Sequence, residues 1–321
     1  MKTSWNTPSG PGASRGFVLV SVMWVLALLT VMTIGFGHRA VLERRVAAFH
    51  VDRLQAQYMA RGAAERGVVE LRNKGAMDRI RGTSGRTSFD QSWHNPPDLL
   101  HDERAFSLGG EVETADEICT FYIRDEEGRI SVNHAPREVL ENVPGFSFRT
   151  VGAIMFRRES TGRNTMAFSS IEEVRNLPGL DEQLWEGTRD QAGLRDILTV
   201  WGSDGRININ TAPREVLECI PDLRPSEIDE IVSITGADIR NPGASARDVF
   251  RGVDGIMEYM EISAERMASI RNYLKVDSSF FTVRGVATQR QGAIQAAAIA
   301  AVQTGGSGAA ILDWREDSGA W

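Results

Sequence analysis

Residues 17–36 read FVLVSVMWVLALLTVMTIGF, a stretch of apolar and small residues without a charged side chain. At about 1.5 Å per residue, a helix of this length spans about 30 Å, the thickness of the hydrocarbon core of a bilayer. The mean hydropathy of the whole chain is -0.24, which excludes a membrane protein with several such spans. The composition therefore predicts one membrane-spanning helix attached to a soluble region.

The soluble region is acidic. The chain has 321 residues, enough for about two domains of roughly 100–200 residues each. It carries 36 basic and 43 acidic residues, with a formal net charge of -7 and an isoelectric point near 5.4. This balance argues against phosphate-backbone binding as the main function, because such binding depends on basic side chains.

The segments on either side of the span predict its orientation and its continuation. Residues 1–16 are polar and carry two charges, which predicts a cytoplasmic leader. A cleaved secretory signal is disfavoured, because the apolar stretch exceeds the usual length of about 7–15 residues and no small-x-small cleavage site follows it. In residues 37–74 apolar side chains recur mostly every three to five positions, which predicts that the helix continues as an amphipathic segment. A plain single-pass anchor with a linker helix is the alternative.

Strand-like segments predict an antiparallel β head on either side of a helical region. Six short runs are expected to form strands: Ala105–Leu108, Ile118–Ile123, Arg129–Val132, Phe280–Ala287, Ala293–Val302 and Ala310–Trp314. The first three are expected to form a small antiparallel meander. We therefore predict an α+β fold whose head consists of residues 75–134 and 275–321, with residues 135–274 inserted between them.

The inserted region contains an internal repeat. Gly128–Gly145 reads GRISVNHAPREVLENVPG and Gly205–Asp222 reads GRININTAPREVLECIPD, identical at 12 of 18 positions. Agreement at this level indicates a duplication. In each copy one proline falls in the first turn of a short helix and a second proline ends that helix. The predicted N-cap residues are Asn133 or His134 in the first copy and Asn210 or Thr211 in the second.

A weaker similarity extends the duplication. Residues 168–180 read FSSIEEVRNLPGL and align loosely with SARDVFRGVDGI at residues 245–256, so each copy is predicted to hold two helical hairpins. The pattern resembles helix-hairpin-helix and SAM-like modules, many of which bind DNA through the backbone amides of a Gly-x-Gly hairpin. Here the second glycine is missing after Gly145 and after Gly179, and Asp222 replaces the first. A membrane-tethered DNA-binding protein is therefore an alternative, not the preferred interpretation.

The start of the apolar stretch carries a family resemblance. Arg15, Gly16 and Phe17, with a polar leader before them and an uncharged helix after them, resemble the class III signal of type IV pilins and type II secretion pseudopilins. The resemblance implies that a prepilin peptidase cleaves between Gly16 and Phe17 and then methylates the new N-terminus at Phe17. Most members of the family have Glu at the fifth mature position, where this chain has Ser21. The lack of that carboxylate is typical of a subunit at the tip, above which no further subunit assembles.

From Arg15 to Trp314 the chain resembles the K family of type II secretion minor pseudopilins (general secretion pathway protein K), in which a helical duplication is inserted in a pilin-like head. The resemblance implies that the protein caps or initiates the pseudopilus tip and supports protein export across the outer membrane. It implies a single-pass protein of the bacterial inner membrane with a periplasmic head. A minor pilin of a type IV pilus is the close alternative.

The same resemblance implies the partners. These are the I and J minor pseudopilins, the major pseudopilin, the inner-membrane assembly platform and the prepilin peptidase, with the secretin or a secreted substrate as further candidates. No nucleic-acid partner is expected. The family also implies structural calcium (Ca2+) in the head, without assigning its ligands.

No catalytic site or catalytic cofactor is predicted. The sequence contains no zinc-protease, Gly-x-Ser-x-Gly, phosphate-loop or dinucleotide-binding motif, so an enzyme is not expected. A metal site could be formed by His94, His101, Asp102 and Glu103, but a solvated polar loop is the preferred interpretation.

Acidic turns and cysteines leave further alternatives open. Carboxylates that could bind calcium lie at Asp125–Glu127, Asp181–Glu182 and Asp313–Asp317. A solvated turn is the preferred interpretation of each. Cys119 and Cys219 follow the span and could form a disulfide in an oxidising compartment, or remain buried thiols.

Overall fold

The computed structural model describes residues 14–91, 93–94, 117–161, 166–188, 191–237, 248–289, 293–305 and 308–317. The chain divides into two compact units, Met1–Leu54 and Gln55–Trp321. The predicted strand Ala105–Leu108 lies outside the described residues.

The α-helices are α1 (Ser14–Arg81), α2 (Arg137–Glu141), α3 (Phe148–Ser160), α4 (Glu172–Arg175), α5 (Glu182–Glu186), α6 (Leu194–Ile197), α7 (Arg214–Leu217), α8 (Pro225–Thr235) and α9 (Ala264–Ile270), with a 3-10 helix at Val253–Glu258. The strands are β1 (Glu117–Asp125), β2 (Ile130–Ser131), β3 (Leu198–Thr199), β4 (Ile207–Asn208), β5 (Leu274–Lys275), β6 (Phe280–Gln289), β7 (Ile294–Gly305) and β8 (Gly308–Asp317).

Helix α1 confirms the predicted continuous N-terminal helix. It includes the apolar stretch and the amphipathic continuation, and it extends past the predicted end at Lys74 to Arg81. The chain leaves the helix at Gly82, whose φ of 69° is the left-handed conformation that commonly ends helices. The loose periodicity of residues 37–74 therefore indicated the helix correctly but placed its end too early.

The head is a four-stranded antiparallel sheet in the order β1-β6-β7-β8. These strands confirm the predictions for Ile118–Ile123 and for the three C-terminal segments. The alanine-rich strand β7 pairs on both sides, and its small side chains are mostly buried. Burial against a neighbouring layer explains why a segment with weak strand propensity forms a central strand.

The C-terminal part of α1 packs on this sheet through alanines and a few larger apolar residues. With side chains of the sheet, these α1 residues form the hydrophobic core of the head: Ala56, Met59, Ala60, Ala63, Ala64, Val68 and Leu71. Strand β6 approaches the helix so closely that a Cβ atom at Gly285 would lie 2.1 Å from the backbone oxygen of Ala60. Glycine is therefore required where the sheet crosses the helix backbone.

The helical region has its own core and closes each repeat with a short parallel strand pair. Strand β2 pairs with β3 in the first copy, and β4 pairs with β5 in the second. The predicted antiparallel meander of Arg129–Val132 with Ile118–Ile123 is therefore wrong. Ile130 and Val132 are completely buried in the core of the helical region, which holds this segment away from the head sheet.

The predicted side-chain caps of the repeats are also wrong. The residues that precede α2 and α7 are Pro136 and Pro213, and neither helix has a side-chain cap hydrogen bond. Asn210 instead accepts from the backbone N–H of Phe250 (2.8 Å) and donates to its carbonyl (2.9 Å). Asn133 makes the same pair of bonds with Phe168. Because these amides satisfy a distant loop, they are not available to the helix N-terminus.

This equivalence corrects the loose alignment of the second half of the repeat. Phe168 corresponds to Phe250 and not to Ser245, since both phenylalanines are buried and bound by the equivalent asparagine. The helix after Phe168 is α4, and the 3-10 helix follows Phe250 at the matching position. The duplication therefore includes this second hairpin, and the segment between the asparagine and the phenylalanine is five residues longer in the second copy.

Candidate assembly site

The predicted processing point lies in the first turns of α1. The helix begins at Ser14, so Gly16 and Phe17 are both helical, and the Phe17 side chain is 76% exposed. The large apolar side chains that follow are exposed as far as Phe36. The helix is long and apolar enough to cross a membrane. This part of the chain fits a single-pass anchor, as the sequence predicts.

Ser21, the position at which the pilin family usually has Glu, is satisfied within its own helix. Its hydroxyl lies 3.0 Å from the carbonyl oxygen of Phe17 and 2.9 Å from that of Val18. A serine that bonds to the preceding turn is compatible with an apolar environment, because its donor does not need water. Ser21 therefore adds no charge to this part of the helix.

The acidic turn after β1 is the largest departure from the sequence-based interpretation. Asp125, Glu126 and Glu127 are at most 5% exposed, so they do not form a solvated turn. They lie where the head sheet meets both helical repeats. Buried carboxylates are costly unless they are hydrogen-bonded or paired, so each must have partners.

Asp125 is bound by neutral donors. Its carboxylate accepts hydrogen bonds from Ser278 (2.6 Å), Thr211 (2.7 Å) and Asn208 (2.9 Å), and from the backbone N–H of Glu127 (2.9 Å). Burial raises the pKa of Asp125 above its ordinary value, while these hydrogen bonds act in the opposite direction. This residue therefore ties β1 to the second repeat and to the segment that enters β6.

Glu126 faces the first repeat and is paired with arginines. Its carboxylate lies 3.1 Å from Arg124 and 3.4 Å from Arg129, and it accepts a hydrogen bond from Thr199 on β3. Burial alone would raise its pKa, but the charges of Arg124 and Arg129 and the hydrogen bonds lower it to about 2. Arg129 in turn donates to the carbonyl of Asp196 (2.7 Å), which connects the turn to α6.

Glu127 forms a buried ion pair with Lys275 of β5. The Lys275 Nζ atom lies 2.7 Å from Glu127 Oε1, and the two side chains are 7% and 2% exposed. Ser203 donates from its N–H (3.0 Å) and hydroxyl (2.7 Å) to Oε1, and the N–H of Ser279 donates to Oε2 (2.6 Å). Burial would raise the pKa of Glu127, but the bonds from Lys275, Ser203 and Ser279 lower it.

The acidic turn does not fit calcium. Its oxygen atoms are already occupied by serine, threonine, asparagine and arginine donors, and the Lys275 ammonium contacts Glu127 directly. Among the described residues, no group of three or more His, Cys, Asp or Glu side chains could hold a metal ion. Calcium in the head therefore stays a prediction, without ligands in this turn.

The other candidate metal residues have local structural roles or lie outside the described residues. His94 packs on Phe89, with ring centroids 4.4 Å apart, and His101, Asp102 and Glu103 are not described. Asp181 accepts a hydrogen bond from the backbone N–H of Leu184 (2.8 Å) and so caps α5, while Glu182 pairs with Arg175. Asp313, on strand β8, pairs with Arg315 (2.6 Å).

The two cysteines belong to different hydrophobic cores. Cys119 lies on β1 in the core of the head, and Cys219 lies after α7 in the core of the helical region. Both side chains are buried and no disulfide joins them. Burial raises the pKa of the Cys219 thiol to about 12, so it is a poor nucleophile.

The hairpins of the helical region have the expected turns, and one turn of the second copy carries an acidic residue. Gly145, Gly179 and Asp222 have positive φ angles of 76°, 88° and 66°. Asp222 is exposed and adds a carboxylate at the turn where a phosphate would be bound. Its side chain accepts a hydrogen bond from Ser269 (2.6 Å). The duplication therefore preserves the hairpin backbone and disfavours a phosphate ligand in its second copy.

Comparison with known proteins identifies the same architecture in a solved structure. No family model matches the sequence, and no curated protein matches it. A chain in the crystal structure of the GspK–GspI–GspJ complex from the type 2 secretion system of enterotoxigenic Escherichia coli matches with a TM-score of 0.57 at 14% sequence identity. The match covers 85% of this chain and 99% of that chain. This chain has the fold of that secretion-complex subunit.

The structure confirms the predicted α+β class, with a long N-terminal helix, an antiparallel sheet and further helices. The matching chain of the secretion complex has the same fold. Sequence reasoning missed the buried acidic turn that joins the sheet to the helices. Its partners are up to 153 residues away in the sequence, so no local pattern marks them. The residues that carry the resemblance, Gly16, Phe17 and Ser21, all lie in the apolar N-terminal part of α1.

Proposed function

We propose that this protein is a minor pseudopilin of a type II secretion system, similar to the K component, that caps or initiates the pseudopilus tip. The observation that supports the proposal most is the similarity to a chain of the GspK–GspI–GspJ complex over 99% of that chain's length. At 14% identity such similarity is one of fold, so the functional assignment also depends on the N-terminal motif.

The N-terminal motif supports assembly through a processed helix. In this proposal a prepilin peptidase cleaves after Gly16, methylates Phe17 and releases a helix that packs with those of other pseudopilins. Ser21 bonds to its own helix and offers no carboxylate to an N-terminal amine above it. The position at the tip follows from this absence together with the bulk of the duplicated helical region.

Mass spectrometry of the mature N-terminus tests this assignment. The full chain is expressed with and without a prepilin peptidase, and the expected product begins at methylated Phe17 only when the peptidase is present. Gly16→Val should block cleavage, whereas Gly12→Val in the same leader should not. A mature N-terminus at any other residue would overturn the proposal.

The proposed partners are the I and J minor pseudopilins, with the major pseudopilin and the inner-membrane assembly platform as further contacts during growth. Co-purification of the full chain with co-expressed I- and J-type subunits from the same genome provides the test. A stable ternary complex is expected, and a minor pilin of a type IV pilus would instead form a complex with type IV pilus subunits. Failure to bind the I- and J-type subunits favours the type IV alternative.

The proposed location is the inner membrane with a periplasmic head. A reporter active only in the periplasm, fused after Trp321, should be active, and the same reporter fused before Met1 should not. The opposite result would place the head in the cytoplasm.

A further inference from the structure

Helix α3 carries an apolar face that the described residues of the helical region leave exposed. Phe148 and Phe156 are 79% and 72% exposed, although their neighbours Val151 and Ile154 are buried. Residues four apart lie on the same side of a helix, so Phe148, Gly152 and Phe156 form one row along the outer surface. A Cβ atom added to Gly152 would meet nothing within 4 Å, which leaves an open notch between the two rings. We call this row the α3 face.

The second copy of the duplication shows that the repeat fold does not require this face. At an offset of 77 residues, Phe148, Gly152 and Phe156 correspond to Pro225, Asp229 and Ser233 on α8. All three α8 residues are exposed as well, and Asp229 pairs with Arg214. The same helix in the same fold is therefore formed without aromatic side chains on its outer surface. Two aligned exposed phenylalanines on one copy alone indicate an interaction surface.

The pattern of the α3 face is symmetric about Gly152. Each phenylalanine lies four residues from the glycine, or about 6 Å along the helix axis by the standard rise. When two such helices cross antiparallel with their glycines opposed, each Phe148 meets the Phe156 of the other helix. The small residue at the crossing allows the two backbones to approach closely, as at other helix crossings. A two-fold interface requires this kind of self-complementary surface.

The charges at the two ends of the α3 face are also self-complementary. Arg149 lies near the N-terminal end and Glu159 near the C-terminal end, and both are exposed. Within the described part of the chain neither has an ion-pair partner, whereas the nearby Arg157 is paired with Glu173. In an antiparallel pair, Arg149 of each copy approaches the end of the other helix that carries Glu159. Opposite charges at these ends favour the antiparallel arrangement over the parallel one.

We propose that the α3 face binds the α3 face of a second copy of this chain, as an antiparallel helix pair with two-fold symmetry. The contact involves one helix face, which is smaller than a typical stable interface, so the dimer is weak when the chains diffuse freely. Anchoring both chains in one membrane raises their effective concentration and favours the pair there. The α3 face is inferred from the two repeats alone, whereas the expected yield of the pair rests on the membrane anchor proposed above and not on the role in secretion.

Cysteine cross-linking of the full chain in native membranes provides the test. Gly152→Cys puts a thiol in the open notch, and the native Cys119 and Cys219 are buried, so they do not compete. Mild oxidation should yield a covalent homodimer, since a disulfide requires the two Cα atoms to be within about 7 Å. Gly75→Cys, at an exposed glycine of α1 with equal free space, is the matched control and should not cross-link.

The second copy supplies the variant that separates this contact from chance collision. Phe148→Pro combined with Phe156→Ser gives α3 the residues that α8 has at these positions, so the helix is expected to fold. In the Gly152→Cys background it should reduce the homodimer by about tenfold, which corresponds to about 1.4 kcal/mol of association energy. Circular dichroism of the purified variant verifies that it is folded.

Three results would overturn the proposal. The first is a Gly152→Cys homodimer yield no higher than that of Gly75→Cys. The second is an unchanged yield in the folded variant with the α8 residues. The third is a cross-link from Gly152→Cys to a different protein in place of the homodimer, which would assign the α3 face to a hetero-partner. Loss of prepilin processing, by contrast, would affect only the function proposed above.

Discussion

Replacement of Lys275 by methionine tests whether the acidic turn is a dry junction between the head and the helical repeats. The ammonium lies 2.7 Å from Glu127, and the two side chains are 7% and 2% exposed. Breaking a buried ion pair costs about 3–5 kcal/mol, because the remaining charge is left without a counterion. Glu127 would keep its donors from Ser203 and Ser279, so we expect a loss near the lower limit, about 3 kcal/mol.

The loss can be measured by thermal and denaturant unfolding of the full chain in detergent, followed by tryptophan fluorescence. Trp93 and Trp185 are buried, so their emission reports on unfolding of the head and of the helical region. A loss of about 3 kcal/mol corresponds to a decrease in Tm of roughly 6–12 °C for a unit of this size. Unfolding of the head and of the helical region should also become less coincident, since the ion pair connects them.

Two further variants complete the experiment. Arg137→Met removes the cation of an exposed ion pair with Glu141 and should cost less than about 1 kcal/mol. Glu127→Gln combined with Lys275→Met removes the orphaned charge and should be more stable than Lys275→Met alone. If Lys275→Met costs no more than Arg137→Met, water reaches the turn and the Glu127–Lys275 pair is not buried in solution.

Three other predictions follow from the same contacts. Folding lowers the pKa of Glu126 from 4.5 to about 2, so its stabilising contribution is complete above pH 4.5 and is lost as the pH falls toward 2. Unfolding curves recorded at several pH values should show this loss of stability. Glu126→Gln should reduce the dependence of the unfolding free energy on pH in this range. Gly285→Val should cost about 2 kcal/mol or more and loosen α1 on the sheet, measured by hydrogen exchange, while Gly305→Val, where nothing lies within 4 Å, should cost less. Asn210→Ala leaves the backbone N–H and carbonyl of Phe250 without partners and should cost about 2 kcal/mol of unfolding free energy. Asn176→Ala, at an exposed site, should be nearly neutral in the same unfolding assay. Equal losses would show that the two bonds from Asn210 do not stabilise the fold.

The elements with local patterns were predicted well from the sequence. The apolar stretch and its continuation indicated α1, and three C-terminal segments indicated β6, β7 and β8, because hydrophobic periodicity and residue composition depend on neighbours in the chain. The duplication was evident from direct identity between two segments. Its pairing of strands was not, because β2 and β4 are two residues long and pair with segments that lie about 70 residues away.

The failures share one physical cause. The asparagines of the repeats were expected to cap the nearest helix, and they instead bind loops about 35 to 40 residues away. The acidic turn was expected to be solvated, and it is instead enclosed by β3, β5 and the segment before β6. In each case the neighbouring sequence does not determine the hydrogen-bond partners of a polar side chain. Distant segments supply donors and acceptors that satisfy this side chain more completely than its neighbours do.

The sequence alone establishes the apolar helix, its Gly16–Phe17 motif and the duplication of the helical region, since each depends on composition or identity along the chain. Folding brings the head sheet and the helical region together at a buried carboxylate cluster, and it leaves Phe148 and Phe156 exposed on one copy of the repeat. Burial and exposure depend on which surfaces the rest of the chain covers. That information comes from distant segments packing together, and the local sequence does not contain it.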